Sequence, residues 1–517
     1  MLVDYSLYLV TDSTPAILKG HNLVDVVEAA LQGGVTIVQY RDKTSDTADL
    51  IKTAREIHEV TLRYQVPFLI NDRVDVALAI GAEGVHVGQD DMDLATVRRL
   101  MGKNAIIGVT ASSIEEARTA AKGGADYLGL GTLFATPTKE NTKSIVGTAG
   151  IKEILASLSA MDEKVSTVGI GGVNASNAQR ILYQSKAAFK GLDGLAVVSA
   201  IVGADDPKQA ASDLRSLIGR PPAFASYGNK KVKDLKVLLP DVPNIAKKVA
   251  ENQPLCHNMT NFVVQNFAAN IALSIGASPI MSMNGAEAPD LAKLGGSLVI
   301  NMGTVTPEGL NNYLQALRAY NGQGGPVLFD PVGAGATSQR RNAVKTLMAG
   351  GYFDVIKGNE GEITTVLGES VIQQRGVDSG ASKLTGIEKA KMVKKLAARE
   401  RNVVFMTGVT DYISDGDRTF AIKNGHEYLG YVTGTGCTLG TTVAAFLAVH
   451  REDKLLAALA GIVMYEIAAE RAAARENVHG PGSFVPALLD ELFCLQKQSF
   501  IGQNGWLAAA KVEEVNV

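Results

Sequence analysis

The chain has 517 residues, with 50 Lys and Arg against 53 Asp and Glu, and its formal net charge of −3 predicts no general affinity for nucleic acid or anionic membranes. Its three cysteines are too scattered for a disulfide framework or a cysteine-based zinc site, which favours a reducing, cytoplasmic compartment. No apolar run approaches about 18 residues without a polar break, so no membrane span is expected. This length favours two large domains or three smaller ones.

Short β-like runs alternate with helical patterns over residues 1–220. Eight such units occur, and nothing in this region is left over. The pattern predicts a TIM (β/α)8 barrel, an α/β fold whose chemistry lies at the C-terminal ends of the strands. The predicted strands cover residues 7–12, 36–42, 68–72, 84–89, 105–111, 126–132, 166–173 and 194–200.

A segment rich in Pro, Gly and Lys, residues 221–243, interrupts the alternation and is typical of a linker. From residue 244 to residue 517, strands such as LVINMG and PVLFDP alternate with helices again. The count and the loop lengths do not close a second barrel, so an open α/β sheet is predicted. Two strongly apolar helices, at 437–450 and 454–474, are expected near its end.

Polar side chains follow the second, third and fourth predicted strands. Gln39, Arg41 and Lys43 alternate along the chain, so they share one face and suit a polyanion such as diphosphate. Asp72 and Asp91 end neighbouring strands and could bind Mg²⁺ together with substrate oxygens and water. The alternatives are a solvated charge run after the second strand, a helix cap at Asp72 and a loop position for Asp91.

Two further segments of the first half could bind phosphate. The sixth loop, FATPTKEN, offers Thr136, Thr138 and Lys139 as donors and could close as a lid. Gly171 and Gly172 end the seventh strand, where barrels commonly hold a phosphate on backbone N–H groups, although close packing could also explain them. The first half therefore has room for a diphosphate with Mg²⁺ and for a separate monophosphate.

The motifs QYRDK, NDRVDVALA, GVHVGQDD, FATPTK and GIGGV together resemble thiamine-phosphate synthase over residues 1–220. That family joins hydroxymethylpyrimidine diphosphate to a thiazole phosphate and releases pyrophosphate. A site rich in cations and without a His dyad suits a dissociative reaction, in which the thiazole nitrogen captures a pyrimidine-stabilised carbocation.

The resemblance also implies roles for individual residues of the first half. Thr110 stands where the family usually has Ser and keeps the hydroxyl, while His86 is interpreted as a core histidine with satisfied hydrogen bonds. By motif, Gln39, Arg41, Lys43, Asn71 and Lys139 would bind the pyrimidine diphosphate, with Arg41 and Lys139 catalytic at the leaving group; Thr110 would bind substrate; Asp72 and Asp91 would bind Mg²⁺; and Thr136, Thr138, Gly172, Val198 and Ser199 would bind the thiazole phosphate.

The second half carries its own candidate phosphate site. Gly434 and Gly436 open an apolar helix whose free N–H groups could hold an anion, although helices often begin after glycine without binding anything. Asp330 and Glu362 lie at predicted strand ends and could hold Mg²⁺ on a nucleotide. Asn359 and Glu360 could help through water. The sequence contains no GxxxxGK[ST] motif, which excludes a P-loop kinase.

The motifs HNMTNFVVQNFAAN, VLFDPVGAGAT, VIKGNEGEI, GTGCTLG and HGPGSF resemble hydroxyethylthiazole kinase, a branch of the ribokinase-like fold, over residues 244–495. That family phosphorylates 4-methyl-5-(2-hydroxyethyl)thiazole with ATP and implies a trimeric core. By motif, Met281 and Gly434 would contact the thiazole, and Lys357, Thr407 and Gly436 would contact ATP. Lys357 departs from the Arg that is frequent at this position, which puts a bidentate phosphate contact in doubt.

Cys437 stands where most ribokinase-like enzymes have a catalytic Asp. A helix N-terminus lowers the pKa of a thiol, so Cys437 could act as a base. Phosphoryl transfer depends more on charge stabilisation than on deprotonation, and we expect Cys437 to assist without being essential. The alternative is a small buried residue with no proton role.

These observations predict a bifunctional enzyme of thiamine biosynthesis, because the kinase product is the acceptor of the barrel reaction. It would form a homo-oligomer built on a trimeric kinase core and bind Mg²⁺, ATP and small-molecule substrates, with no nucleic-acid or membrane partner. One alternative is that one half is a degenerate module that senses ligand. Another is that the barrel is an unrelated phosphate-binding isomerase. Beyond Phe500 no role is assigned, and Trp506 is expected to cover a hydrophobic surface.

Overall fold

The computed structural model describes residues 3–134, 145–225, 232, 234–368 and 384–517. It divides into two compact units, residues 1–221 and 222–517. The predicted boundary lies one residue earlier, at the end of a helix that terminates in Gly219. In the described ranges, no helix is both long enough and apolar enough to cross a membrane.

The first unit is a closed barrel of eight parallel strands, which confirms the predicted fold. Each strand pairs with the next, and the eighth closes on the first. Several strands end earlier than predicted because the polar residues at their C-terminal ends turn into loops at the barrel mouth. The strands are β1 Leu7–Val10, β2 Ile37–Tyr40, β3 Phe68–Asn71, β4 Gly84–Val87, β5 Ile106–Ala111, β6 Tyr127–Leu130, β7 Ser166–Ile170 and β8 Gly194–Val197.

Helices surround this barrel and bury their apolar faces against the outside of the strands. Inside the barrel a smaller cluster that includes Tyr5, Tyr8, Leu69 and Tyr127 fills the lower part. The helices are α1 Pro15–Leu18, α2 Leu23–Gln32, α3 Thr47–Tyr64, α4 Val74–Ile80, α5 Leu94–Met101, α6 Ile114–Lys122, α7 Gly147–Ser159, α8 Ala178–Gln184, α9 Ser199–Val202 and α10 Pro207–Ile218.

The second unit contains a nine-stranded sheet in the order β10-β9-β11-β12-β13-β14-β15-β16-β17. The first six strands of that order are parallel, and the last three pair antiparallel. The open α/β sheet is therefore as predicted, with an antiparallel edge added. Its strands are β9 Leu255–Met259, β10 Ser278–Ile280, β11 Ser297–Asn301, β12 Val327–Asp330, β13 Val355–Asn359, β14 Val403–Thr407, β15 Asp411–Ser414, β16 Thr419–Ile422 and β17 Val512–Glu514.

Helices cover both faces of this sheet and form two clusters of buried side chains with it. The two apolar helices predicted near the end are α20 and α21. The helices of this unit are α11 Leu235–Leu238, α12 Val242–Asn252, α13 Gln265–Ser274, α14 Ala288–Lys293, α15 Pro307–Gln323, α16 Ser338–Gly350, α17 Glu360–Leu367, α18 Gly386–Glu400, α19 Tyr428–Tyr431, α20 Thr435–Val449, α21 Lys454–Ala473 and α22 Pro481–Phe500.

Part of the segment predicted as a linker belongs to the core of the second unit. Helix α11 and the start of α12 lie within residues 221–243, and Leu238 and Val242 are fully buried there. Leu235, Leu238, Leu239 and Val242 recur at helical spacing, which the neighbouring Pro and Lys residues obscure in the sequence.

The C-terminal segment extends the sheet. Strand β17 pairs antiparallel with β16, so the edge of β16 is covered. Trp506 is buried in the core of this unit, and its indole N–H donates to Ser499 Oγ at 3.1 Å. The tryptophan therefore covers a hydrophobic surface, as predicted.

Candidate active sites

The C-terminal ends of the barrel strands enclose a cavity of about 500 Å³. Thr136, Thr138 and Lys139, predicted as ligand-binding residues, lie outside the described residues. The other candidate residues of the first half converge on this cavity, which is lined by Gln39, Arg41, Lys43, Asn71, Asp72, Asp91, Thr110, Gly172, Val198 and Ser199.

The two cations at the end of β2 are held by carboxylates of neighbouring strands. Arg41 Nη1 lies 3.3 Å from Asp12 Oδ2, and Lys43 Nζ lies 2.7 Å from Asp72 Oδ2. Asp12 follows β1 and was not predicted as a site residue; the strand-end position that drew attention to Asp72 could have found it. A diphosphate bound here would meet two cations that are already oriented by carboxylates.

Asp72 and Asp91 interact, as their positions at the ends of neighbouring strands predict. Burial raises the pKa of Asp91; the Gly88 N–H, 2.8 Å from Oδ2, opposes the increase, and the hydrogen bond and charge of Asp72 add to it. Asp72 has a φ of 62°, in the left-handed region that a non-glycine residue rarely adopts. Such strain is common at functional sites.

Gly171 and Gly172 have φ values of 104° and 71°, a conformation that favours glycine at both positions. A Cβ on Gly171 would lie 2.5 Å from Thr132 Cγ2, so close packing also requires this glycine. Val198 and Ser199 lie at the start of α9, directly after the neighbouring strand β8. The predicted phosphate-binding groups are therefore adjacent.

His86 makes hydrogen bonds through both ring nitrogens, as predicted for a satisfied histidine. Nδ1 lies 2.8 Å from the Tyr127 hydroxyl, and Nε2 lies 2.8 Å from Thr110 Oγ1. It is not purely a core residue, because His86, Tyr127 and Tyr8 all line the cavity. Neither tyrosine was predicted as a site residue. The available signal was Gly108, because a glycine inside a strand indicates that another group approaches closely. In the structure that group is Tyr127, since a Cβ on Gly108 would lie 2.0 Å from Tyr127 Cζ.

In the second unit, Asp330, the last residue of β12, forms an ion pair with Lys357, in the middle of the neighbouring strand β13. Lys357 Nζ lies 3.3 Å from Asp330 Oδ1, and the two side chains are 5% and 1% exposed. Asn301, opposite Asp330 in the register of β11 and β12, donates to Asp330 Oδ2 at 2.8 Å. Burial raises the pKa of the Asp330 carboxyl, and the Lys357 charge opposes that increase.

Glu362 lies beside this pair and is almost fully buried. Its carboxylate oxygens accept the N–H groups of Gly333 and Asn359, each at 2.8 Å. Burial, with the Asp330 charge adding to it, raises the pKa of Glu362 to about 7. Asn359 caps helix α17 and Glu360 pairs with Lys389 at 3.0 Å, so both are already engaged.

The glycine-rich start of α20 meets the same group of residues. Gly434 has a φ of 95°, and a Cβ there would lie 2.4 Å from Val264 Cγ1. A Cβ on Gly436 would lie 3.5 Å from Lys357 Nζ, which places the helix start next to the buried ion pair. Helix N-terminus, lysine and carboxylate therefore converge on one point, an arrangement suited to phosphate and a divalent cation.

The expectation that the helix start lowers the pKa of Cys437 is contradicted. Burial raises the pKa of this thiol to about 11, and the Asp330 charge raises it further, while Lys357 opposes the change. Asn261 Nδ2 lies 3.8 Å from Cys437 Sγ and 3.1 Å from Asn301 Oδ1, so the thiol joins the network around Asp330. Asn261 lies in the HNMTN segment of the kinase motif, but neither Asn261 nor Asn301 was predicted as a site residue.

The two remaining predicted residues lie on either side of this centre. Thr407 ends β14 and is the register partner of Asn359. Met281 directly follows β10, an edge strand that lies on the other side of β12 and β13 from β14. Within the described ranges no group of three or more metal-ligating side chains occurs, so a divalent cation in either unit would also need substrate oxygens or water.

Comparison with known proteins assigns a family to each unit. Residues 7–201 match the family model described as thiamine monophosphate synthase, and residues 246–498 match that of the hydroxyethylthiazole kinase family. The chain is 44% identical over 217 residues to the thiamine-phosphate synthase of Clostridium novyi, covering 42% of this chain and 100% of that protein. It is 44% identical over 249 residues to the hydroxyethylthiazole kinase of Moorella thermoacetica, covering 48% of this chain and 91% of that protein.

A relative in fission yeast matches across both units. The probable thiamine biosynthetic bifunctional enzyme of Schizosaccharomyces pombe is 42% identical over 518 residues, which cover 99% of each chain. The resemblance noted in the sequence therefore extends over the whole chain and includes the order of the two units. This chain belongs to the family of thiamine biosynthetic bifunctional enzymes.

Proposed function

We propose that this chain, a bifunctional enzyme with hydroxyethylthiazole kinase and thiamine-phosphate synthase activities, uses the two sites described above in sequence. The second unit phosphorylates hydroxyethylthiazole with ATP as co-substrate. The first unit joins the resulting thiazole phosphate to hydroxymethylpyrimidine diphosphate. The observation that supports this proposal is a lysine paired with a carboxylate near a glycine-rich backbone segment in both units.

In the first unit, Mg²⁺ would bind to Asp72 and Asp91 and to the diphosphate, where it would neutralise the departing oxygens. Lys43 pairs with Asp72 at 2.7 Å and is more than half exposed, so it can turn to the diphosphate when the cation binds Asp72. Arg41, Gln39 and Asn71 would hold the same substrate. These groups favour breakage of the C–O bond before the new bond forms, as a dissociative mechanism requires.

The other side of the cavity would hold the thiazole phosphate. Gly172, Val198 and Ser199 are placed to offer backbone and hydroxyl donors to a single phosphate. We propose that Thr136 and Thr138 complete this phosphate site and that Lys139 contacts the leaving diphosphate. The thiazole nitrogen would then attack the carbon that the diphosphate leaves.

In the second unit, Asp330 would hold Mg²⁺ on the nucleotide, and Glu362 would support it. Lys357 would contact the transferred phosphoryl group beside the N–H groups of Gly434 and Gly436, and Thr407 would contact ATP. Cys437 would be a neutral thiol near the substrate hydroxyl, because burial raises its pKa to about 11. This assignment makes charge stabilisation, and not deprotonation, the main contribution of the site.

We also propose that the enzyme is a homo-oligomer that assembles through its kinase unit, with a trimeric core. Phe262 and Val263 are 71% and 75% exposed, and they directly follow Asn261, which contacts Cys437. Large apolar side chains in such a position suit a subunit interface beside the active site. Replacement of Phe262 by Asp should reduce the mass in solution and the kinase rate together.

The function is tested by incubating the enzyme with hydroxyethylthiazole, ATP, Mg²⁺ and hydroxymethylpyrimidine diphosphate and measuring thiamine phosphate. Product should form, and omission of ATP should stop it unless thiazole phosphate is supplied. Asp91→Asn should slow the synthase step roughly 10²-fold and leave the kinase step unchanged. Asp205→Asn, on an exposed loop outside the cavity lining, is the matched control. Full synthase activity in the Asp91 variant would contradict the metal assignment.

A further inference from the structure

A chain of hydrogen bonds crosses the barrel beneath the proposed substrates. It joins Gln39 on β2, Tyr8 on β1, Tyr127 on β6, His86 on β4 and Thr110 on β5, all of which line the cavity. Gln39 Nε2 lies 2.7 Å from the Tyr8 hydroxyl, which lies 2.6 Å from the Tyr127 hydroxyl. His86 connects Tyr127 to Thr110 with two contacts of 2.8 Å. We call these five residues the polar relay.

The fold makes specific room for the middle of the relay. Gly108 and Gly129 leave space for Tyr127 and His86, since a Cβ would lie 2.0 Å from Tyr127 Cζ and 3.0 Å from His86 Cε1. Burial raises the pKa of each of the Tyr8 and Tyr127 hydroxyls well above the ordinary value for tyrosine. Both tyrosines therefore act as neutral donors, and each has a single proton to give.

The direction of each hydrogen bond follows from the Gln39 end. The amide N–H of Gln39 donates to Tyr8, so the Tyr8 proton goes to Tyr127, its other partner in the described part of the chain. The Tyr127 proton then goes to His86 Nδ1. A neutral His86 whose Nδ1 accepts must carry its own proton on Nε2, which donates to Thr110 Oγ1.

The two ends of the relay consequently face the cavity with opposite polarity. The amide nitrogen of Gln39 donates to Tyr8, so the side-chain carbonyl oxygen of Gln39 remains as an acceptor for a ligand on the β2 side. Thr110 accepts from His86, so its own hydroxyl proton remains available on the β5 side. An aminopyrimidine matches this pattern, because its amino group donates and its ring nitrogens accept.

We propose that Tyr8, Tyr127 and His86 are positioning residues that fix this polarity and thereby select an aminopyrimidine over the analogue with an oxo group in place of the amino group. The inference rests on the proposed binding of the pyrimidine diphosphate in this cavity. In the oxo analogue, a carbonyl oxygen would face the Gln39 carbonyl oxygen, acceptor against acceptor. A site built for hydrogen bonding rejects such a mismatch strongly.

The first test removes one hydroxyl from the middle of the relay in the full-length enzyme. Tyr127→Phe should raise KM for the aminopyrimidine diphosphate at least tenfold, leave KM for thiazole phosphate unchanged and reduce discrimination against the oxo analogue at least tenfold. Tyr5→Phe is the control, because the Tyr5 ring packs on Tyr127 with centroids 5.0 Å apart while its hydroxyl is not part of the relay. Equal effects of the two variants on KM and discrimination would overturn the inference.

Two further measurements separate a relay from a local loss of packing. Tyr127→Phe should have no additional effect on discrimination in a Gln39→Met background, because discrimination against the oxo analogue acts through the Gln39 carbonyl oxygen; additive effects would overturn the proposal. Histidine ¹⁵N NMR, assigned with a His86→Asn variant, should show the Nε2–H tautomer in the unsubstituted enzyme; the Nδ1–H tautomer would overturn it. If the unsubstituted enzyme did not turn over the pyrimidine diphosphate, the function proposed above would fail as well.

Discussion

The two sites place the same chemical groups, a lysine beside a carboxylate, at very different depths. In the barrel, the side chains of Lys43 and Asp72 are 55% and 20% exposed. In the kinase unit, those of Lys357 and Asp330 are 5% and 1% exposed. Water stabilises an unpaired charge at the first site, whereas at the second each charge depends on its partner. The barrel pair can therefore separate to bind a substrate at little cost, while the buried pair also supports the fold.

Depth also separates the protonation behaviour of the two sites. Burial raises the pKa of Glu362 to about 7 and that of Cys437 to about 11. In the barrel, burial raises the pKa of Asp91 as well, the Gly88 N–H opposes the increase and the hydrogen bond and charge of Asp72 add to it. Bound Mg²⁺ favours the ionised carboxylate at either site. The comparison therefore predicts that the kinase reaction is the more sensitive to substitution and to pH.

The largest effect is expected from removal of the buried carboxylate. Asp330→Asn should lower the kinase rate about 10³-fold, because it removes the group proposed to hold the cation on the nucleotide. The synthase rate with supplied thiazole phosphate should not change, which separate assays of the two steps would measure. Asp290→Asn is the matched control, since Asp290 is an exposed residue of the same unit with a side chain that is 84% exposed. A kinase rate within tenfold of the original would contradict the assignment.

The next effect concerns stability. Lys357→Met leaves Asp330 buried without its cation and should lower the free energy of unfolding by about 3 kcal/mol. Urea unfolding followed by fluorescence would measure this, because Trp506 is the single Trp of the chain and is buried in the core of the same unit. Lys43→Met, which breaks the exposed pair, should cost less than about 1 kcal/mol, measured by circular dichroism. Equal losses of unfolding free energy in the Lys357→Met and Lys43→Met variants would contradict the proposed difference between the two sites.

The pH dependence of the kinase should be steeper than that of the synthase. If the Glu362 carboxylate is the active form, the kinase rate falls about tenfold per pH unit below about 7. Added Mg²⁺ favours the ionised carboxylate, so it moves this fall in rate to lower pH. Stability changes with the opposite sign. The folded-state pKa of Glu362 lies above its ordinary value of 4.5, so protonation favours the folded state and the free energy of unfolding rises as the pH falls from about 7 to about 4.5. Rate profiles and urea unfolding over this range would check both signs.

The smallest effect is expected from Cys437→Ala. The thiol is neutral near pH 7 because burial raises its pKa to about 11, so its loss should reduce the kinase rate less than tenfold. The measurement is the kinase rate at saturating ATP, with nucleotide binding followed separately. Complete loss of turnover while ATP still binds would show that the thiol takes part in the chemistry after all.

The barrel and most of its candidate site could be predicted because both depend on local patterns. Alternation of strands and helices is visible in the sequence, and the polar residue that ends a strand is identified by its position alone. Asp72, Asp91 and Arg41 were found in this way. The helical part of the predicted linker was missed because the apolar spacing of Leu238 and Val242 is masked by nearby Pro and Lys.

The sequence by itself determined the order of the two units, the closed barrel, the open sheet and the strand-end residues, because these features repeat with the periods of strands and helices. Only the tertiary structure decided which side chains meet across strands, such as Asp12 with Arg41 and Tyr127 with His86. It also buries the Cys437 thiol, which raises the pKa of that group. Burial and cross-strand register depend on neighbours far away in the chain, and no local pattern records them.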